Sequence, residues 1–449
     1  MAFSGIASRQ RTAFEAFTES ADLFSGFSVE KATKKAREAS YRPISLNSDG
    51  PFDFFIPHEG DLYLNPSTLR LHGNFKIVKI VNGVQKNLEA SDDVALVNLA
   101  PLSFFKSLEI DFQGQIVSFI TTPLHHYKSY IETVLSYDKN AQDTHLKAAL
   151  WEPDTESFEQ SDSAGWVARK DWTKLSNTKD FSIDLHSDLA STEKFWPNKL
   201  DINIRLNRAP DTFSLIAKKL SNGTLPTYKI IFTDLVLTID KVQMDSETLA
   251  KHEKSFNSGA LATYPFSKTV IKTKQISKDL QYAKIENIFM NELPNSCVVA
   301  LVDSAAFNAD IHKNPFNFQH FNLTNIQFDY NSEIIPPLGL PVNFESGKEQ
   351  IARAYRRLFD HTGVGTGNIT NAITPELFKK GMTLFPFDFT PDRCLGYHTH
   401  MKENGTLGLE LRFSKPLANN ITVLVFATFD DYIELDRDRH VIFRSTNQP

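Results

Sequence analysis

The chain has 449 residues, 41% of them hydrophobic and 23% charged, with a formal net charge of −6. That length exceeds the size at which one hydrophobic core stops growing, so two domains of roughly 200 residues each are expected. The acidic balance excludes a general attraction to nucleic acid or anionic membrane, which needs a basic stripe that releases counterions, and no apolar run of about 18 residues is present to span a bilayer as a helix.

Two cysteines, Cys297 and Cys394, and an opening stretch without a signal-type apolar run predict an intracellular product free of disulfides. The N-x-T sequons at Asn222, Asn322, Asn368, Asn404 and Asn420 are then loop and strand-edge chemistry, not glycosylation sites. Phenylalanine is over-represented, with 36 Phe against 12 Tyr and 4 Trp. Its ring has no polar tip to satisfy, so the excess predicts a large buried core.

Residues 1–40 are expected to form an N-terminal arm. In "SRQRTAFEAFTESADLF", Phe14, Phe17, Ala21 and Phe24 recur at helical spacing, one apolar stripe in search of a partner. "SVEKATKKAREAS" follows, with Ser28 as N-cap, Glu30 in the first turn and Lys34, Lys35 and Arg37 towards the end, which predicts a second short helix. Six basic and five acidic side chains leave the arm nearly neutral and ill suited to gripping DNA.

From Tyr41 onwards strands dominate: "STLRLHGNFKIVKIV", "SLEIDFQGQIVSFI", "KLDINIRLNRA", "YKIIFTDLVLTIDKVQM", "TNIQFDYNSEII", "GTLGLELRFSK" and "ITVLVFATFDDYIEL" alternate apolar and polar residues or run β-branched and aromatic. Asn82-Gly83, Gln113-Gly114, Asn222-Gly223 and Asn404-Gly405 supply the positive φ that tight hairpins require. Long helical patterns are few, chiefly 125–137 and 347–361, the latter with Ile351, Ala354, Tyr355 and Leu358 on one face. All four tryptophans (Trp151, Trp166, Trp172 and Trp196) fall in one polar insertion of the first half. They are either a local core or interface anchors, and Trp166 and Trp172 join Phe14, Phe17 and Phe24 as assembly-interface candidates. In "NPFNFQHFNLTNIQFDYNSEIIP", residues 314–336, Phe321, Ile326 and Phe328 are expected to face the core. His320 and the asparagines there are expected to satisfy loop backbone.

The order of elements repeats. "SLEIDFQGQIVS" and the helix after it are echoed by "NIQFDYNSEIIP" and its helix; "DFSIDLHSD" matches "TLFPFDFTPD", "LDINIRLNRA" matches "LGLELRFSKP", and "YKIIFTDLVLTIDKV" matches "ITVLVFATFDDYIEL". This duplication predicts an all-β chain with a few short helices: a double jelly roll of two tandem eight-stranded antiparallel sandwiches. The copies are placed at 41–245 and 260–449, joined by a polar helical linker at 246–259. An immunoglobulin-type sandwich would need only about 100 residues per unit and no helix between strands.

No constellation of reactive side chains stands out. His398 and His400 in "GYHTHMKENG" have the H-x-H of a cupin metal site, but Glu403 follows too soon and no second half of that motif appears downstream; a polar loop is expected. His125-His126 lacks an i,i+4 partner, and "DKNAQDTH" at 138–145 departs from EF-hand spacing. "DRDRH" at 436–440 reads as a solvated terminal strand. "GVGTGN" at 363–368 lacks the lysine of a phosphate loop. Burial as small hydrophobes is expected for both cysteines. Catalytic, cofactor and metal residues are therefore all expected to be none.

The segments "YRPISLNSDGPFDFFIPHEGDLYLNPSTLRL", "YIETVLSYDKNAQDTHLKAALW", "NPFNFQHFNLTNIQFD", "ITPELFKKGMTLFPFDFTPD" and "NNITVLVFATFDDYIELDRDRHVI" resemble, in order, the major capsid protein of the Polinton (Maverick) and adintovirus group. The resemblance runs from about Tyr41 to Ile442. It implies a virion hexon, not an enzyme, that self-assembles as homotrimers and tiles an icosahedral shell around double-stranded DNA inside the host cell. Its implied partners are itself, neighbouring capsomers, and penton or minor capsid proteins, without sequence-specific nucleic-acid binding. The arm at 1–40 is expected to dock beneath such a shell. The alternative is a two-domain jelly-roll metalloenzyme of cupin type or a carbohydrate-binding protein.

Overall fold

A computed structural model describes residues 31–442 except 48, 118–122, 155–157, 160–162, 220–225, 361, 363–369 and 392–399. The first half contains β1 (Thr33–Tyr41), β2 (Phe52–Ile56), β3 (Leu62–Val81), β4 (Val84–Asn87), β5 (Val94–Leu96), α1 (Ala100–Ser103), β6 (Phe105–Phe112), β7 (Gln115–Ile116), α2 (His125–Ser136), α3 (Lys139–Asp143), α4 (Ala164–Trp172), β8 (Lys179–Asp184), β9 (Ile202–Arg208), α5 (Asp211–Ser214), β10 (Leu215–Ala217) and β11 (Thr227–Met244). α6 (Ser246–Asn257), capped by the Asp245 carboxylate, stands where the polar helical linker is expected. The second half contains β12 (Ala262–Ile276), β13 (Tyr282–Glu292), β14 (Ser296–Asp303), α7 (Ser304–Phe307), β15 (Leu323–Tyr330), β16 (Glu333–Pro341), α8 (Ala352–Asp360), α9 (Pro375–Lys380), β17 (Leu384–Asp388), β18 (Asn404–Phe413), β19 (Ile421–Leu435) and β20 (Val441–Ile442).

Two antiparallel sheets form the sandwich of each half, and in the first half β5 and β10 pair as a small separate ribbon. In the first, β1-β11-β3-β8 faces β2-β9-β6-β7, with β4 added beside β3; in the second, β12-β19-β14-β17 faces β13-β18-β15-β16, with β20 added beside β19. With the accessory strands set aside, both halves read 1-8-3-6 over 2-7-4-5 in chain order, the double Greek key of a jelly roll. Every sequence match falls on an equivalent position: β6 with β15, α2 with α8, β8 with β17, β9 with β18, and β11 with β19. The fold is the double jelly roll expected from the repeat.

Alternation explains which residues line each core. On β11, Tyr228, Ile230 and Phe232 are buried, then Leu235, Leu237 and Ile239. The parity changes because the register with β3 shifts between Phe232 and Asp234, a bulge that turns the next apolar set back to the same face. Aromatic rings then bridge the sheets: Phe232 of β11 meets Phe52 of β2 with centroids 5.4 Å apart, and in the second half Phe328 of β15 meets Phe387 of β17 at 4.8 Å.

Three local expectations are corrected. The stretch expected as a second arm helix contains β1, whose register with β11 runs from Thr33↔Met244 to Tyr41↔Leu237; ladder hydrogen bonds outweigh a weak helix preference, and the exposed lysines suit an edge strand. Residues 33–40 thus belong to the first pair of sheets. Asn404-Gly405 begins β18 instead of making a turn, while Asn331 and Ser332, with φ of 51° and 70°, turn the chain between β15 and β16. Gly405 is needed there because a Cβ would lie 1.8 Å from the Asn331 Oδ1. The Asn82-Gly83 and Gln113-Gly114 hairpins do carry positive φ at both positions, and Asn222-Gly223 lies outside the described residues.

Candidate functional site

The aromatic stretch at 314–336 packs across the boundary between the two jelly rolls. Ile326 and Phe328 are fully buried as expected, but Phe321 sits at φ 44° in a turn and is only partly buried. Phe316 and Phe318 take its place in the core. The Phe316 ring stacks on Tyr130 of α2 with centroids 4.0 Å apart and planes 1° from parallel, and Tyr127 and Phe213 meet it edge-on. Asn314 turns the chain into this position by accepting the Phe316 N–H on Oδ1 at 3.0 Å. His320 Nδ1 accepts the Asn322 N–H at 2.9 Å while the ring lies flat on Phe344, and burial lowers its pKa to about 4.

Polar contacts reinforce this boundary. Lys128 of α2 pairs with Asp188 at 2.7 Å and donates to the His186 carbonyl at 2.8 Å, while the other Asp188 oxygen accepts the Thr269 N–H of β12 at 3.2 Å. Burial pulls the Lys128 pKa down, but the Glu132 and Asp188 carboxylates hold it above its ordinary value. Arg439 corrects the expectation of a solvated terminal run: it is 2% exposed and reaches back to the first half. Its Nε and Nη2 donate to the carbonyl and side-chain oxygens of Asn198, both at 2.8 Å, and its guanidinium lies 3.9 Å from the centre of the Phe256 ring. Beside this latch is an apolar groove of about 410 Å³ whose walls include Tyr63, Phe195, Met244, Phe256, Leu261 and Tyr264. Tyr63 hydrogen-bonds His252 at 3.0 Å, and burial raises its pKa to about 12.

The tryptophan-bearing insertion is built around a buried ion pair. Arg169 of α4, fully buried, holds both Asp154 oxygens at 3.0 Å and donates through Nε to the Leu96 carbonyl at 2.7 Å. Ser163 caps α4 and donates to the same carboxylate at 2.8 Å. Trp151, Trp166 and Trp196 are each 3% exposed or less, and the Trp166 indole donates to the Ile216 carbonyl at 3.1 Å. Trp166 is therefore committed to this chain's own core and has no face left to offer a neighbour. Trp172 is half-buried, with Lys179 over its ring, and remains a surface candidate.

No family model matches the chain. An uncharacterized protein of Caenorhabditis elegans, F54H12.2, is 23% identical over 413 residues, which cover 89% of this chain and 95% of the relative. Among solved structures, the cryo-EM structure of the Sputnik virophage superposes with a TM-score of 0.61 at 11% identity, over 98% of this chain and 93% of that one. The mavirus major capsid protein gives 0.53 at 12% identity, over 98% and 96%. The PBCV-1 virus capsid gives 0.53 at 9% identity, over 94% and 100%. This chain has the double-jelly-roll fold of viral major capsid proteins.

Among the described residues, those weighed for chemistry serve structural roles on this double jelly roll. His400 donates its backbone N–H to Asp430 at 2.7 Å, and its ring lies 3.4 Å from the same carboxylate. Glu403 accepts from the Tyr330 hydroxyl at 2.7 Å. His398 and Cys394 lie outside the described residues, as do Phe14, Phe17 and Phe24. Among the described residues no group of three or more His, Cys, Asp or Glu could hold a metal ion, and no helix is long and apolar enough to cross a membrane. Asp138 caps α3 and Asp143 pairs with Lys139, so "DKNAQDTH" is spent on a helix. His126 packs on Tyr127 and Phe213, and burial lowers its pKa to about 3. Cys297 is buried, which raises its thiol well above the reactive range. The sequence reading missed Arg439 and Asn198: they lie 241 positions apart, and nothing local marks the contact.

Proposed function

We propose that the chain is a viral major capsid protein that closes into homotrimers and tiles a shell around double-stranded DNA. The observation that carries this reading is the pair of equivalent jelly rolls fused into one packed body, in a fold shared over nearly the whole of the Sputnik and mavirus chains. Three copies around a threefold axis present six like walls, so a trimer tiles as a hexagon although its true symmetry is three. The aromatic boundary and the Arg439 latch fix the angle between adjacent walls within each copy. Trp172 supports a place at the subunit contact, since it is half-buried and flanked in sequence by Val167 and Leu175, which are 46% and 54% exposed.

The test is the size and outline of the purified protein. Light scattering is expected to give one species near 152 kDa, three times the 50.8 kDa chain, and electron microscopy is expected to show particles with a six-sided outline. A monomer throughout the micromolar range would overturn the proposal.

A further inference from the structure

The groove beside the Arg439 latch lies next to Ala32 and Thr33, at the start of the described residues. The Ala32 carbonyl accepts the Asp245 N–H at 2.8 Å, and Thr33 pairs with Met244, a wall residue of the groove. We propose that residues 1–30 of the same chain dock in this groove and seat Phe14, Phe17 and Phe24 against Tyr63, Phe195, Met244, Phe256, Leu261 and Tyr264.

Three observations converge on that occupant. Reach is ample: Phe24 lies seven residues before Lys31, which span up to about 25 Å when extended, against about 5 Å between paired strands. The chemistry matches, because an open apolar groove calls for an apolar, aromatic filler. In sequence, Phe14, Phe17, Ala21 and Phe24 recur at a helical period, over a length of about 15 Å at the helical rise, and Glu15, Glu19 and Asp22 fall on the opposite side of that period. The duplication supplies a precedent. α6 directly precedes β12 as the arm precedes β1, and it already lays Phe256 on this groove and packs Leu249 against the Tyr63, Val242 and Met244 cluster.

Disulfide trapping on the full chain tests this without reference to shell formation, so failure here and failure of the capsid reading are separable. Phe24→Cys is combined with Leu261→Cys in a Cys394→Ser background, and mild oxidation is followed by mass spectrometry of the linked peptides. The control pairs Phe24→Cys with Leu338→Cys, which is 89% exposed on the edge strand β16. A link within one chain is expected at Leu261 at least about tenfold faster than at Leu338, reflecting the higher effective concentration of a docked segment. Changing Phe14 and Phe17 to Ser is expected to bring the rate down to the control. Equal rates at the two positions would overturn the proposal, and so would a product that joins two chains, which assigns the groove to a neighbour's arm.

Discussion

Removing the Phe316 ring is the sharpest test of how the two jelly rolls are held together. Phe316 is 1% exposed and touches the Tyr127 and Tyr130 rings of α2 and the Phe213 ring of α5, so Phe316→Ala opens a cavity among packed aromatic rings from both halves that relax only partly to fill it. Large-to-small changes of this kind cost about 3–5 kcal/mol, of which each aromatic pair supplies about 0.5–1.5 kcal/mol beyond its buried area. The loss falls on the boundary between the halves, so it is expected to uncouple them as well as weaken them. The chain carries its own reporter, since all four tryptophans lie in the first half while strands fill both. Guanidinium unfolding is followed by tryptophan fluorescence and by far-UV circular dichroism, with protein concentration held fixed. The two curves are expected to coincide in the parent and to separate in Phe316→Ala, with an earlier first transition. A midpoint shift worth under about 1 kcal/mol, with the curves still superposed, would refute the claim that this cluster joins the barrels.

Arg439→Ala is expected to cost about 3–5 kcal/mol, because it strips a buried fork from both Asn198 oxygens, and Arg439→Lys recovers only part of it; thermal melting reads the order parent, Lys, Ala. Trp166→Ala is expected to lower stability by about 3–5 kcal/mol, whereas Trp172→Ala leaves the melting curve nearly unchanged and shifts the trimer to dissociate at higher protein concentration. Dilution light scattering on Trp172→Ala that matches the parent counts against its place at the contact. Acid is expected to destabilise the fold well before its carboxylates titrate. His126, near 3, and His320, near 4, stay neutral when folded, while the unfolded imidazoles, near 6.5, take up protons as pH falls below that value. Stability is thus whole above about pH 6.5 and lost on the way down to about pH 4, with His126 alone contributing about 2 kcal/mol of that loss by pH 5. Melting temperatures from pH 7.5 to 5 check the slope, and His126→Phe is expected to flatten it.

Strand periodicity, hairpin residues and the repeated order of elements were legible in the sequence because each depends on neighbours a few positions apart. Alternation along β11 follows from the pleat, the unbroken apolar run that opens β19 from burial on both faces, and the Asn82-Gly83 turn from a positive φ that few residue types tolerate. The duplicated order even identified which strands stand in for one another, since equivalent sheet positions demand like lengths and like apolar faces. Tertiary structure decided what local signals leave open. Lys34, Lys35 and Arg37 suit a helix end as well as an exposed edge strand, and only the ladder offered by β11 settles the strand. Trp166 looks the same in sequence whether it fills a core or anchors a partner; the Arg169–Asp154 pair and the Ile216 carbonyl draw it inward. Arg439 reads as one more charge in a polar run until folding brings Asn198, Glu253 and Phe256 around it, and a buried guanidinium is stable only where such distant partners satisfy it.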